Sequence, residues 1–107
     1  QELLANYTPP VVPDTAGSHL IRVWHQVRDQ ELFAPWFKTD KGHAIRHPVE
    51  ANLAPEVLHR RTVDLLKAAD IYAGAYAAYF NYPEFERLAQ TDCRVLVGAP
   101  GDPFKDV

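Results

Sequence analysis

The chain contains no methionine and only one cysteine, Cys93. A single thiol excludes an internal disulfide and any metal site built from several cysteines. Cys93 has no other cysteine or histidine near it in sequence, so it reads as an inert, buried thiol. No apolar run approaches the ~18 residues that span a bilayer, and no charged-then-apolar leader opens the chain, so no membrane partner is expected. Long blocks of one charge are also missing. Fourteen acidic against eleven basic side chains leave a net charge of −3, which argues against nucleic acid as a partner. These absences make a reducing, cytoplasmic setting the expectation. The lack of an initiator methionine implies a cut or processed start.

What remains has the ordinary apolar and charged content of a globular protein, 47% and 23%. At 107 residues it is one domain at most, able to bury roughly 65% of its unfolded surface. Residues 1–7 are helix-prone but too few for an independent helix. Pro9, Pro10 and Pro13 make residues 8–17 an extended connector, so 1–17 reads as an extended lead-in. Ser18 is the expected N-cap of a helix over 19–33. Leu20, Val23, Trp24, Val27 and Glu31 form its stripe, while Arg22, Gln26 and Asp29 face away. Pro35 ends it, and Trp36 and Phe37 follow on a turn that either lids an apolar pocket or plugs the core.

Residues 38–52 read as a loop with at most a turn near 44–46, long enough to be either functional or packed down. Pro55 and Glu56 then open a helix, as their positional preferences require. Leu58, Thr62, Leu65 and Ala69 are its buried stripe; Arg60, Arg61, Asp64 and Lys67 are its wet side. A break at Asp70 and Ile71 precedes a second helix to about Phe80, carrying Tyr72, Tyr76 and Tyr79, and a short third helix starts at Pro83. The chain closes on an apolar run, residues 95–97, stopped by Gly98, Pro100 and Gly101 and followed by Asp102. That run fits a strand buried on both faces of a parallel sheet. Open α/β sheets place their chemistry at such a strand end, yet no other segment reads as a partner strand. The expected fold class is mainly α: a small helical bundle over 1–92, with one leftover C-terminal strand and an acid-bearing loop over 93–107.

The terminal sequence Asp92-Cys93-Arg94-Val95-Leu96-Val97-Gly98-Ala99-Pro100-Gly101-Asp102-Pro103, coming after a helical block, resembles the exit from the cap domain of an α/β-hydrolase. The pattern Gly17-Ser18-His19-Leu20, Trp24-His25, Arg28-Asp29 and Phe33-Ala34-Pro35-Trp36 is similar to the first cap helix of a bacterial subgroup related to epoxide hydrolases and haloalkane dehalogenases. The resemblance implies that Asp102 is the acid of a nucleophile–His–acid triad, orienting the imidazole and stabilising the imidazolium. It implies a lid role for the helices, a small uncharged organic substrate, the rest of a hydrolase core as partner, and no cofactor. Three departures stand beside it. The chain has no nucleophile elbow, no histidine after Asp102, and Arg94 where many members carry proline. Two catalytic roles are therefore expected outside this chain, which alone should hydrolyse nothing.

Asp102 also reads as plain Asp-Pro turn chemistry, and Asp106 would replace it if the strand end shifted. Trp24, Trp36, Phe37, Tyr72, Tyr76 and Tyr79 are the candidate substrate-lining residues. Lid tyrosines of epoxide hydrolases donate to the epoxide oxygen, and the two indoles resemble halide donors by residue type alone; core packing accounts for the same residues. Among five histidines, His43 and His47 are spaced i, i+4, but Pro48 follows and no carboxylate is placed to join them, so no metal is expected. The alternatives to a lid are a stand-alone helical binding module without catalysis and a homodimer closed through an exposed apolar face.

Overall fold

The computed structural model describes residues 2–46 and 50–96. Five helices form in it: α1 (Glu2–Tyr7), α2 (Ser18–Leu32), α3 (Pro55–Lys67), α4 (Tyr72–Asn81) and α5 (Glu84–Ala89). The chain is mainly helical, with no sheet among the described residues. Val95 and Leu96, expected within a buried strand, carry no regular structure, and Leu96 is 96% exposed. The physical reason is the missing neighbour, because a lone apolar run has no ladder to pair its backbone. Val97 and Asp102 lie outside the described residues. Cys93 is exposed rather than buried, for the same lack of a covering layer.

The lead-in is not extended throughout, since residues 2–7 form α1. Thr8 closes it, with both its N–H and its hydroxyl donating to the Leu4 carbonyl at 3.0 Å. That helix survives despite its length because Tyr7 is held by three aromatic neighbours from two other segments, the turn after α2 and α4.

The N-terminus of α2 is capped differently from the expectation for Ser18. Gly17 occupies the cap position at φ 74°, the left-handed region that glycine enters without a Cβ penalty. Asp14 supplies the oxygens, accepting from the Ser18 and His19 N–H groups at 3.2 Å each. His19 Nδ1 accepts in return from the Asp14 N–H at 3.2 Å, a reciprocal cap. The Ser18 and His19 amides, the first the stronger, hold the Asp14 carboxyl below its ordinary value. At its other end α2 passes into extended Phe33 and a cis Ala34–Pro35 peptide.

The loop after α2 is packed down. Ala34 N–H donates to the His43 carbonyl and Ile45 N–H to the Leu32 carbonyl, at 2.9 and 2.8 Å. Its short turn lies at Lys41–His43, earlier than expected, because Asp40 caps it by accepting from the Gly42 N–H and pairing with His43 Nδ1.

α3 begins with Pro55 and Glu56 and ends with Lys67, each where the missing amide and the helix dipole favour it. α2 and α3 pack on one another around Val23, Val27 and Leu58, with Val11, Trp24, Leu65 and Leu66 against them. The stripe of α2 is rotated from its expected position. Gln26 and Asp29, expected to face water, are buried, whereas Leu20 is exposed. The proline-rich strap of residues 9–11 and Trp36 lie against Gln26, while Asp29 is held by the Arg28 guanidinium. Glu31, which interrupts the apolar stripe, receives a hydrogen bond from the Arg61 guanidinium across the helix pair, so Arg61 is half-buried rather than wet.

Turn residues 68–71 separate α3 from α4, as the break at Asp70 and Ile71 requires. α4 stops where Tyr82 turns extended before Pro83. α5 follows with Glu84 and Glu86 in its first turn.

Leu58 is the one fully buried apolar residue that α3 gives this small core. Leu58→Ala is expected to cost about 2–4 kcal/mol in urea unfolding followed by circular dichroism, a large share of a domain's total. The cap gives a pH signature. Because the Asp14 value is depressed on folding, its contribution is present above the unfolded value of 3.8 and fades as pH falls through the lower folded one. The difference in Tm between wild type and Asp14→Asn should therefore narrow on acidification below that value and stay constant at neutral pH.

Candidate functional site

Four of the six candidate lining residues, Trp36, Phe37, Tyr72 and Tyr76, meet in one aromatic cluster. Its hub is Tyr7, whose ring lies 5.4 Å from Phe37, 6.1 Å from Tyr76 and 5.5 Å from Phe80. Trp36 stands edge-on to Phe37 at 5.7 Å, and Tyr72 edge-on to Tyr76 at 6.4 Å. Such edge-to-face pairs match the positive rim of one ring to the negative face of another. The cluster closes the junction of α1 and α4 against the turn after α2.

A cavity of about 260 Å³ opens beside it, walled by Tyr7, Trp36, Tyr76, Phe33 and Ile45, with Gln30 and Arg61 as its polar groups. It has room for a small organic molecule, and Arg61 is tied to Glu31 rather than free. A second cavity of about 260 Å³ lies across Trp36, between residues 9–11 and α2, with His19, Arg22, His25 and Gln26 at its polar side. Trp36 is the wall between them.

The polar tips of the candidate residues are committed. The Trp36 indole N–H donates to the Tyr7 carbonyl at 3.1 Å, and the Tyr72 hydroxyl donates to the Pro9 carbonyl at 2.7 Å. Burial raises the Tyr72 phenol above its ordinary value, the nearby Gln26 amide opposes this, and Tyr76 adds to it. Burial likewise raises Tyr7, with Tyr76 adding to it. Gln26 is only 4% exposed, and its Nε2 meets no acceptor in regular hydrogen-bond geometry although the amide lies beside Tyr72.

The other two candidates stand apart. Trp24 lies on the α2–α3 pair, bordering a groove with Leu20, Ile21, His59, Val63 and Leu66. Tyr79 is 74% exposed and touches the cluster only through Phe80, at 5.6 Å. Its spacing puts it one residue short of the face that Tyr72, Tyr76 and Phe80 share at i, i+4, i+8. His47 and Asp102 lie outside the described residues. Among the described residues no three metal-ligating side chains come together, and no helix is long and apolar enough to cross a membrane.

Sequence reading missed Tyr7 and Gln26. Tyr7 sat in a segment taken as lead-in, and its partners are all distant in sequence. For Gln26 the signal was its i+3 spacing from Val23, which puts both on one face.

A comparison with family models, curated proteins and solved structures finds no match to this chain.

The hydroxyl of Tyr72 gives a test of this geometry. Tyr72→Phe leaves the Pro9 carbonyl without its donor and is expected to cost about 1 kcal/mol. A phenol raised on folding stabilises fully below its unfolded value of 10.0, and that contribution is lost as pH rises through the folded value. The alkaline fall in Tm should thus be shallower in Tyr72→Phe than in wild type, followed by phenolate absorbance on the same samples.

Proposed function

We propose that this chain is a helical lid over an α/β-hydrolase-type core, roofing a site where a nucleophile–His–acid triad cleaves a small uncharged organic substrate. The observation that carries the reading is α4. Its ten residues contain no charged side chain, and none of them is buried. A helix apolar on every side is expected inside a protein, not on its surface. Ile71, Tyr79, Tyr82, Phe85 and Leu88 are further exposed apolar side chains along this part of the chain, with Phe85 81% exposed. The radius of gyration agrees, at 16.5 Å against roughly 13 Å for a compact chain of this length. Three buried apolar side chains are a small core for these helices. A layer beneath α4 and α5 would supply what is missing.

In this reading the lid excludes water and shapes access, strengthening every electrostatic interaction beneath it. Tyr76 and Trp36 border the cavity that would receive the uncharged part of the substrate. Asp102 is proposed as the acid, on the sequence pattern around it. The nucleophile and the base come from other parts of the enzyme, and no cofactor is required. The free thiol of Cys93 fits a reducing compartment such as the cytoplasm.

A second reading, a helical binding module without catalysis, is favoured by the donors of Trp36 and Tyr72. Both end on main-chain carbonyls, as in a purely structural cluster.

Hydrolysis of p-nitrophenyl esters, epoxides and haloalkanes separates the two. The 107-residue chain should show no turnover, whereas the complete reading frame that encodes it should. There Asp102→Asn is expected to lower kcat on the order of 10⁴-fold. A reading frame without a nucleophile elbow upstream and a histidine downstream sinks the lid, as does turnover by this chain alone that Asp102→Ala abolishes.

A further inference from the structure

The cavity of about 260 Å³ between the strap and α2 has a basic side and no carboxylate in its wall among the described residues. On α2, His19, Arg22 and Gln26 stand at i, i+3 and i+7, within about 60° of one another around the helix. One helix face therefore supplies the polar groups. The strap brings the rings of Pro9 and Pro10, which carry no amide hydrogen, and the Trp36 indole closes the cavity against its neighbour.

The polar groups are short of acceptors. The Arg22 guanidinium makes no ion pair or hydrogen bond among the described residues. The His19 side chain is only 15% exposed. Its Nδ1 accepts from the Asp14 N–H at 3.2 Å, so the neutral imidazole carries its proton on Nε2 and donates from that side. Asp14 itself is engaged by the Ser18 and His19 amides and does not line the cavity. Gln26, 4% exposed, forms part of the same wall, and its Nε2 meets no acceptor in regular geometry. A guanidinium without a counter-charge thus stands beside an apolar recess.

We propose that this cavity binds a small organic carboxylate, held at its charged end by Arg22 and the His19 Nε2–H, with its flat apolar body between the Pro9–Pro10 strap and Trp36. A guanidinium matches a carboxylate with two parallel N–H bonds, which fixes orientation as well as charge. The indole and the proline rings offer apolar surface to an aromatic or compact aliphatic body. The volume lies just below the roughly 300–1,000 Å³ of sites for drug-sized ligands, so the occupant is about one ring with a short arm. An uncharged molecule leaves Arg22 and His19 without an acceptor, and an inorganic anion leaves the apolar walls wet. Both halves of the ligand are needed. The site does not rest on the lid reading, which places an uncharged substrate on the far side of Trp36, and binding requires no catalytic core.

Titration of the isotope-labelled chain with benzoate, followed by NMR of its side-chain N–H groups, tests this. The Gln26 amide and the Trp36 indole should shift together and saturate, with a Kd on the order of 1 mM or below. The Trp24 indole, on the opposite side of α2, should stay in place, and the Gln30 amide, in the cavity across Trp36, should shift less than Gln26. Benzyl alcohol, which keeps the ring without the charge, and inorganic phosphate, which keeps charge without the ring, should each bind about tenfold more weakly or worse. Arg22→Gln should weaken benzoate about fivefold, with far-UV circular dichroism and Tm matched to wild type. The comparison of the three ligands uses wild type alone, so it stands whatever the variant does to the fold. No saturable shift at tenfold the expected Kd overturns the proposal, as does benzyl alcohol binding as tightly as benzoate. Unchanged affinity in a folded Arg22→Gln, or a Gln30 shift larger than that of Gln26, overturns it as well.

Discussion

Carbonyl groups left over by proline hold the two halves of this structure together. Residues 7–11 run as a strap between α1 and α2, and Pro9 and Pro10 carry no amide hydrogen with which to join a ladder or helix. Their segment is therefore poor in donors and rich in acceptors. The molecule answers with side-chain donors from far along the chain, the Trp36 indole onto Tyr7 and the Tyr72 hydroxyl onto Pro9. These two bonds draw the turn after α2 and the start of α4 onto one strand of backbone. Val11, one step further, packs on the α2–α3 core. The burial of Gln26 and the aromatic cluster about Tyr7 are arranged around that strap.

The strap also explains why the aromatic residues divide as they do. Tyr72 and Tyr76 turn toward Tyr7 because the Pro9 carbonyl anchors the first of them. A helix fixed by that anchor must present its remaining surface outward, and in α4 that surface is alanine, glycine and Tyr79. Burying an apolar side chain is worth about 1.5–3 kcal/mol, so several such residues left in water forgo more than a marginal domain has to spare. A hydrolase core beneath the helices would recover that energy, and this gives the lid proposal its physical footing.

Much of the local structure was legible. Pro55 with Glu56, the break at Asp70 and Ile71, and Tyr82 before Pro83 each act through backbone geometry within a few residues, so their consequences can be read without knowing what lies nearby. The Leu58 and Thr62 stripe was legible too, since α3 has a single buried face. What could not be read depends on contacts between distant segments. Gln26 is buried because the strap and Trp36 cover a side of α2 that periodicity alone assigns to water. Asp14 caps α2 from four residues before Ser18, a reach made possible only by the left-handed turn at Gly17. The strand expected after Arg94 rested on apolar composition, and composition supplies no partner. Within the candidate site, residue type identified Trp36, Phe37, Tyr72 and Tyr76, whereas the hub at Tyr7 emerged only in three dimensions.

The two open surfaces differ in kind, and the difference bears on what each can bind. On α4 the exposed residues carry no charge, which suits a permanent partner buried like a domain interior, whereas α5 sets Phe85 and Leu88 among Glu84, Glu86 and Arg87. The groove between α2 and α3, about 360 Å³, is bordered by Leu20, Ile21, Trp24, Val63 and Leu66, and the neighbouring exposed side of α3 carries Glu56, Arg60, Asp64 and Lys67, so charge and apolar surface alternate there as they do not on α4.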